Sequence, residues 1–168
     1  MFLKDLLIID FEGGKGPKQI GAVLLDKETL EEKDHFESYI YFDMQGEPSM
    51  RSGITQDMLD SAPSPAEVGR KVYEKFGTQV ILGSFVSEFD HKHFRTLMNA
   101  AQRDSAEYDY HFLDVWAIAY AHLVKKGYVG SLGSEDIFKE FGLPPRGLHK
   151  ALEDARFAAE VLRKVMKE

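Results

Sequence analysis

Leu6-Leu7-Ile8-Ile9 is an unbroken apolar run that leads straight into Asp10-Phe11-Glu12. Such a run predicts a strand buried on both faces, as at the centre of a parallel or mixed sheet. Gly13-Gly14-Lys15-Gly16-Pro17 is a turn by composition, and Gln19 to Leu25 predicts a second strand. Phe36 to Phe42, rich in aromatic and β-branched residues, predicts a third. The short first connection implies an antiparallel meander. Further on, Ser64 with Glu67 forms a capping box and Pro65 suits the first helical position, so a helix is expected from Pro65 to Phe76, stopped by Gly77. Val80 to Phe85 reads as a short strand, followed by a helix over Glu88 to Met98 with Phe94, Leu97 and Met98 at helical spacing. Phe112 to Lys125 predicts an apolar helix that ends at Lys125-Lys126-Gly127, and Ser134 is expected to cap a short helix ending at Gly142. Pro144-Pro145 bends the chain into a terminal helix opened by Leu148 to Asp154, with Leu152, Ala155, Ala159, Leu162 and Met166 as its core stripe. Strands come early, helices late, and the two alternate between. That order predicts an α/β fold, a mixed β-sheet flanked by helices, in one domain over residues 1–168.

Composition narrows the class. A chain of 168 residues with 43% hydrophobic content can bury a core of its own. No apolar run is long enough to span a membrane, the first residues lack a signal peptide's blocks, and a cytoplasmic location is the default expectation. The absence of cysteine excludes disulfides, thiolate metal sites and cysteine nucleophiles. A net charge of −7 argues against a passive nucleic-acid-binding module, less so against an enzyme whose bound cations handle phosphates.

The chemistry begins on the first strand. Alternation puts Asp10 and Glu12 on one face and Phe11 on the other. Two neighbouring acids repel and lose hydration unless a positive charge lies between them, and hard oxygen donors suit Mg²⁺ or Mn²⁺. The competing reading is a strand that emerges into solvent at Asp10. The glycine-rich turn lacks the spacing of a phosphate loop, although Lys15 and Lys18 stand beside it, available to phosphate. Asp90 falls at a helix start next to a strand end. His149 and Asp154 are five residues apart, about 140° around a straight helix. They can face one point only if His149 sits before or in the first turn. Taken singly, a helix Asp is usually solvated and a lone His is usually surface or core. His91, His93 and Asp114 read as structural or surface residues.

Taken together, Asp10-x-Glu12, Phe89-Asp90 before a helix, and His149-x-x-x-x-Asp154 near the C-terminus resemble the DEDDh (DnaQ-like) 3′–5′ exonucleases. Gly53-Ile54-Thr55 through Ala62-Pro63 is similar to that family's linker, Phe112-Leu113-Asp114 to its F-x-D-T helix, and Leu148 to Ala155 to its H-x-A-L-x-D-A signature. Two departures stand out: Gly13 replaces the usual Thr, and Phe85-Val86 stands where a His-Asn pair is usual.

The resemblance implies a ribonuclease H-like fold, a three-stranded antiparallel meander plus parallel strands. It implies hydrolysis of phosphodiester bonds from the 3′ end of single-stranded DNA or RNA, releasing nucleoside 5′-monophosphates by a two-metal mechanism with Mg²⁺ or Mn²⁺. Asp10, Glu12, Asp90 and Asp154 would be the metal ligands and His149 the general base. Phe11, Phe85 and Phe89 adjoin buried strands and read first as core side chains; as candidates to stack on bases Phe11 comes before the other two, and the Gly13 N–H could meet a terminal sugar hydroxyl. Lys15, Arg51, Arg146 and Lys150 are the basic residues nearest the motifs. DNA against RNA, and a free enzyme against a polymerase-bound subunit or homodimer, stay open. The rival reading is a catalytically weakened relative that binds nucleic acid or a protein partner.

Overall fold

A computed structural model describes residues 2–46 and 51–167. Its sheet has the strand order β3-β2-β1-β4-β5. The strands β1 (Asp5–Gly13), β2 (Pro17–Leu25) and β3 (Glu32–Tyr39) form the antiparallel meander. On the other side of β1, β4 (Val80–Ser84) and β5 (Phe112–Asp114) pair in parallel. The helices are α1 (Gln56–Asp60), α2 (Pro65–Phe76), α3 (Ser87–Ala100), α4 (Val115–Lys125), α5 (Ser134–Glu140) and α6 (Ala151–Lys167). This is the expected mixed sheet of a ribonuclease H-like fold.

The apolar run of β1 is the middle of the molecule, and Leu6 to Ile9 are fully buried. Alternation divides them between two cores. Leu6 and Ile8 join Val115, Ala119, Ala155 and Leu162 under α4 and α6, whereas Leu7, Ile9 and Phe11 join Val68, Val72, Phe94 and Leu97 under α2 and α3. Asp10 and Glu12 therefore continue the row that faces α6. The Ser64 box caps α2 as expected, with Pro65 in its first turn.

Several details differ from the sequence pattern. β3 runs from Glu32 to Tyr39, not Phe36 to Phe42: Asp26 accepts from the Glu28 and Thr29 N–H groups, closing the turn early enough for Glu32 to pair with Leu25. Its first half is polar because β3 is an edge strand. Phe112 to Asp114 is strand, not helix, because Leu82, Gly83 and Ser84 of β4 take its ladder bonds; α4 begins only at Val115, with Asp114 as its cap. Gly133, not Ser134, is the N-cap of α5. Met166 is half-exposed near the end of α6, past the sheet, whereas Leu152, Ala155, Ala159 and Leu162 are buried as expected.

Candidate active site

The acids are brought together by strand ends. Asp10 and Glu12 occupy the carboxyl end of β1, where the register slips between Glu12 and Gly13. Gly13 has φ of +151°, and a Cβ there would lie 2.1 Å from the Gly16 carbonyl oxygen. No side chain fits, which explains why threonine is absent. Asp90 lies in the first turn of α3, just after β4, and its Oδ1 accepts the Phe11 N–H at 2.9 Å. That bond ties the helix to the backbone between the two β1 acids.

From the other side comes α6. His149 precedes it, its N–H donating to the Arg51 carbonyl at 3.0 Å, while Asp154 sits in the first helical turn. The five-residue spacing is thus reconciled as the sequence required. What presses this helix onto the sheet is Gly21, whose Cβ would fall 2.2 Å from Ala151 C and Leu152 N. Gly21 is the register partner of Asp10, and Gln19 that of Glu12. The Gln19 Oε1 accepts the Ala151 N–H at 3.3 Å, and its Nε2 donates to Glu37 Oε1 at 3.0 Å. Neither β2 residue was expected to matter. A glycine in mid-strand, signalling close backbone approach, and a lone polar residue in an apolar run were the available clues.

One cavity of about 430 Å³ is lined by Asp10, Glu12, Asp90, His149 and Asp154 together. Phe11, Gly13 and Phe89 also border it. Ligand atoms of Glu12, His149 and Asp154 lie within 4.8 Å of one another. The His149 Nδ1 is 3.4 Å from Asp154 Oδ2 and 3.7 Å from Glu12 Oε1. Arg146 completes the ring, its Nη1 donating to Asp154 Oδ2 at 2.9 Å. A larger cavity, about 640 Å³, opens beside the end of α4, but Glu140 is the only carboxylate among its described lining residues.

The cluster is electrostatically strained. Burial, then the charges of Asp90, Asp154 and Glu12, pushes Asp10 well above the carboxylate range. Glu12 is raised to about 7 by burial and by Asp154, against the lowering effect of Arg146 and Arg51. Asp90 is raised to about 7, again chiefly by burial, despite the Phe11 N–H bond. Asp154 is raised by burial although Arg146 and His149 oppose it. Burial and Arg146 together lower His149. Four carboxylates driven towards protonation, with one imidazole and no thiolate, fit a site for hard divalent cations such as Mg²⁺ or Mn²⁺.

The neighbouring residues sort by exposure. Phe11 is 3% exposed and Phe85 5%, both core side chains, while Phe89 is 38% exposed. Phe11 and Phe85 are thus the core residues expected, and Phe89, not Phe11, is the ring most open to a base. His93 is buried, with its ring against both Phe11 and Phe89, and His91 packs on Phe112. Lys18 is not offered to phosphate: it is buried, with Nζ over the Phe42 ring. Lys15 and Arg51 are exposed, and Lys150 pairs with Glu153. Asp114 is structural. Its Oδ1 caps Ala117 N–H at 2.7 Å, and its Oδ2 accepts the Ser87 hydroxyl at 2.6 Å and N–H at 3.2 Å. Ser87 thus anchors the start of α3, immediately after the positions of the absent His-Asn pair.

A ribonuclease H-like sheet with four acids and a histidine gathered beside the carboxyl end of its central strand defines the class of fold and site to which the chain belongs. The comparisons with known proteins place the chain within it. The exonuclease family model (RNase_T) matches residues 9–162, and the chain belongs to that family, as a DnaQ-like, DEDDh-type member. The DNA polymerase III subunit epsilon of Aquifex aeolicus (strain VF5) is 26% identical over 122 residues, 70% of this chain and 55% of that protein. The chain thus spans about half the length of this curated relative. Among solved structures, the nuclease domain of 3′hExo, described as a DEDDh family member bound to rAMP, superposes with a TM-score of 0.74 at 22% identity, over 98% of this chain and 92% of that one. The zinc-bound E. coli ExoI–ssDNA complex gives 0.78 at 18% identity, over 98% of this chain and 40% of that one. A 3′-exonuclease described as recognising the 3′ end of a histone mRNA stem-loop gives 0.72 at 21%, over 99% and 65%. At these identities the structural matches speak for the fold. No helix among the described residues is long and apolar enough to cross a membrane.

Proposed function

We propose that this chain is a divalent-metal-dependent 3′–5′ exonuclease, a single domain that hydrolyses single-stranded DNA or RNA from its 3′ end and releases nucleoside 5′-monophosphates. The observation that carries the reading is the convergence of Asp10, Glu12, Asp90, His149 and Asp154 on one cavity, from β1, the start of α3 and the start of α6. Family membership supports it. Asp10, Glu12, Asp90 and Asp154 would hold the cations. When bound, Mg²⁺ or Mn²⁺ supplies the positive charge that an in-line displacement at phosphorus needs on its attacking and leaving oxygens.

The chain's own residues do the rest. His149 is held below its usual pKa by burial and by Arg146, so it is neutral near pH 7 and ready to accept a proton. Its Nδ1 faces Glu12 and Asp154, which leaves Nε2 to take the proton from the attacking water. Asp154 and Glu12 then stabilise the imidazolium. Phe89 offers an open ring to the terminal base, and the Gly13 N–H a donor to the sugar end.

Incubating the protein with a 3′-labelled single-stranded oligonucleotide tests the reading. Monophosphates released from the labelled end with Mn²⁺, and stopped by EDTA, are the expected result. Binding without cleavage would refute it and favour a nucleic-acid-binding module.

A further inference from the structure

Arg146 has a role that the five motif residues do not include. It follows the Pro144-Pro145 bend, is nearly buried, and lies with its guanidinium carbon 4.8 Å above the Phe138 ring. Its Nε donates to Glu135 Oε1 of α5 at 2.5 Å, and its Nη1 to Asp154 Oδ2 of α6 at 2.9 Å. The oxygen it contacts is the one that also stands 3.4 Å from His149 Nδ1. Arg146 is therefore a fixed cation in direct competition with any mobile cation for Asp154. It also lies where two cavities meet: the acid-lined one and a neighbouring cavity of about 550 Å³ both include Arg51, Ser134, Arg146 and His149 in their walls. A guanidinium carries five N–H donors in a fork suited to phosphate. The pairs with Glu135 and Asp154 use two, leaving donors for a phosphate oxygen in either cavity.

We propose that Arg146 is a shared counter-ion that couples cation loading to substrate binding, pairing with Asp154 until a divalent cation takes that carboxylate and then presenting its guanidinium to a phosphate of the nucleic acid. Glu135 is the tether that keeps the arm in place during the exchange. The inference rests on the exonuclease reading, since it needs Asp154 as a cation ligand. Arg146 acts on the cation through Asp154, so in that part it is a positioning residue.

The test uses the full chain stripped with EDTA. Mn²⁺ binding is titrated calorimetrically, and binding of oligothymidylate and oligouridylate with phosphorothioate 3′ linkages is followed by anisotropy in saturating Mn²⁺. For Arg146→Gln the two affinities should move in opposite directions: Mn²⁺ tighter and oligonucleotide weaker, each by about fivefold or more. Arg146→Lys keeps the charge and should return the Mn²⁺ affinity towards that of the parent. Glu135→Gln, at a half-exposed position that folding tolerates, leaves Arg146 to Asp154 alone and should weaken Mn²⁺. A purely structural arginine would lower thermal stability without tightening Mn²⁺. Unchanged or weaker Mn²⁺ binding in Arg146→Gln, or unchanged oligonucleotide binding, overturns the proposal while the exonuclease reading stands. A parent protein that binds no Mn²⁺ overturns both.

Discussion

Removing cations should make this protein less stable as pH rises, the reverse of ordinary acid denaturation. Asp90 is raised from 3.8 to about 7, so the folded state holds a proton over a pH range in which the unfolded chain has released it. The stability this proton confers is complete below the unfolded value and is lost as pH climbs through the folded one. Roughly three pKa units correspond to about 4 kcal/mol over the whole window, of which about 2 kcal/mol falls between pH 5 and 7. Glu12, raised to about 7, works in the same direction, discounted because its carboxylate is partly open to solvent. Asp10 and Asp154 are raised too and add to the slope. His149 opposes it, since a histidine lowered by burial gains stability as pH rises towards its unfolded value. The net loss from pH 5 to 8 should be about 2–4 kcal/mol, or roughly 5–15 °C in Tm for a domain of this size. Urea melts in EDTA at unit pH steps measure it. Asp90→Asn should flatten the slope, because the amide oxygen can still accept the Phe11 N–H but no longer titrates. Added Mn²⁺ should restore stability at pH 8 by mass action. A metal-free protein equally stable at pH 5 and 8, or an Asp90→Asn variant with the parent's slope, would refute the reasoning.

His149→Ala should lower turnover by about 10²–10⁴, with Mn²⁺ affinity by calorimetry little changed; full turnover would remove His149 from the role of base. Phe89→Ala should weaken oligonucleotide binding by about 1–3 kcal/mol, seen as a raised KM, whereas Phe11→Leu should chiefly lower Tm because Phe11 is core. Gly21→Val places a side chain where the Ala151 and Leu152 backbone already lies, so α6 must move from the sheet. The expected cost is about 1–3 kcal/mol in stability, with Mn²⁺ affinity lost in the protein that remains folded; an unaffected Mn²⁺ titration would show that Gly21 does not set the position of Asp154.

Much of this was legible because β1 writes its two jobs in one line. An apolar run specifies a central strand, and alternation puts both acids on one face and Phe11 on the other; that α6 covers the first face and α3 the second is what the structure adds. The bend at Pro144-Pro145 likewise forces His149 out of the helix that carries Asp154. What could not be read was whatever depends on a neighbour in space. Phe112 to Asp114 has a helix-like apolar pattern, and only the ladder offered by β4 makes it a strand. Lys18 sits in a turn-proximal stretch that reads as solvated, yet Phe42 covers it. Arg146 was visible only as a nearby basic residue, since its value comes from Glu135 and Asp154 meeting it from two helices.

The departures from the family pattern are compensated in different ways. At Gly13 the backbone leaves no room for a side chain, so the missing threonine is a consequence of how tightly β1 turns into β2 through Gly16. At Phe85-Val86 the replacement is different in kind. Phe85 turns into the α4–α6 core against Phe138, its carbonyl accepts the Trp116 N–H, and Ser87 is clamped by Asp114. Apolar packing and one carboxylate therefore hold the start of α3, and with it Asp90, where a polar pair usually stands. Phe138 is also the ring over which Arg146 lies. The residue that replaces the family histidine thus packs against the platform of the extra cation. In this chain, the nearly buried positive charge beside the acids, Arg146, comes from the α5–α6 side, with Arg51 adding to it from the segment before α1, and the strand end that usually carries polar groups has been given over to the core.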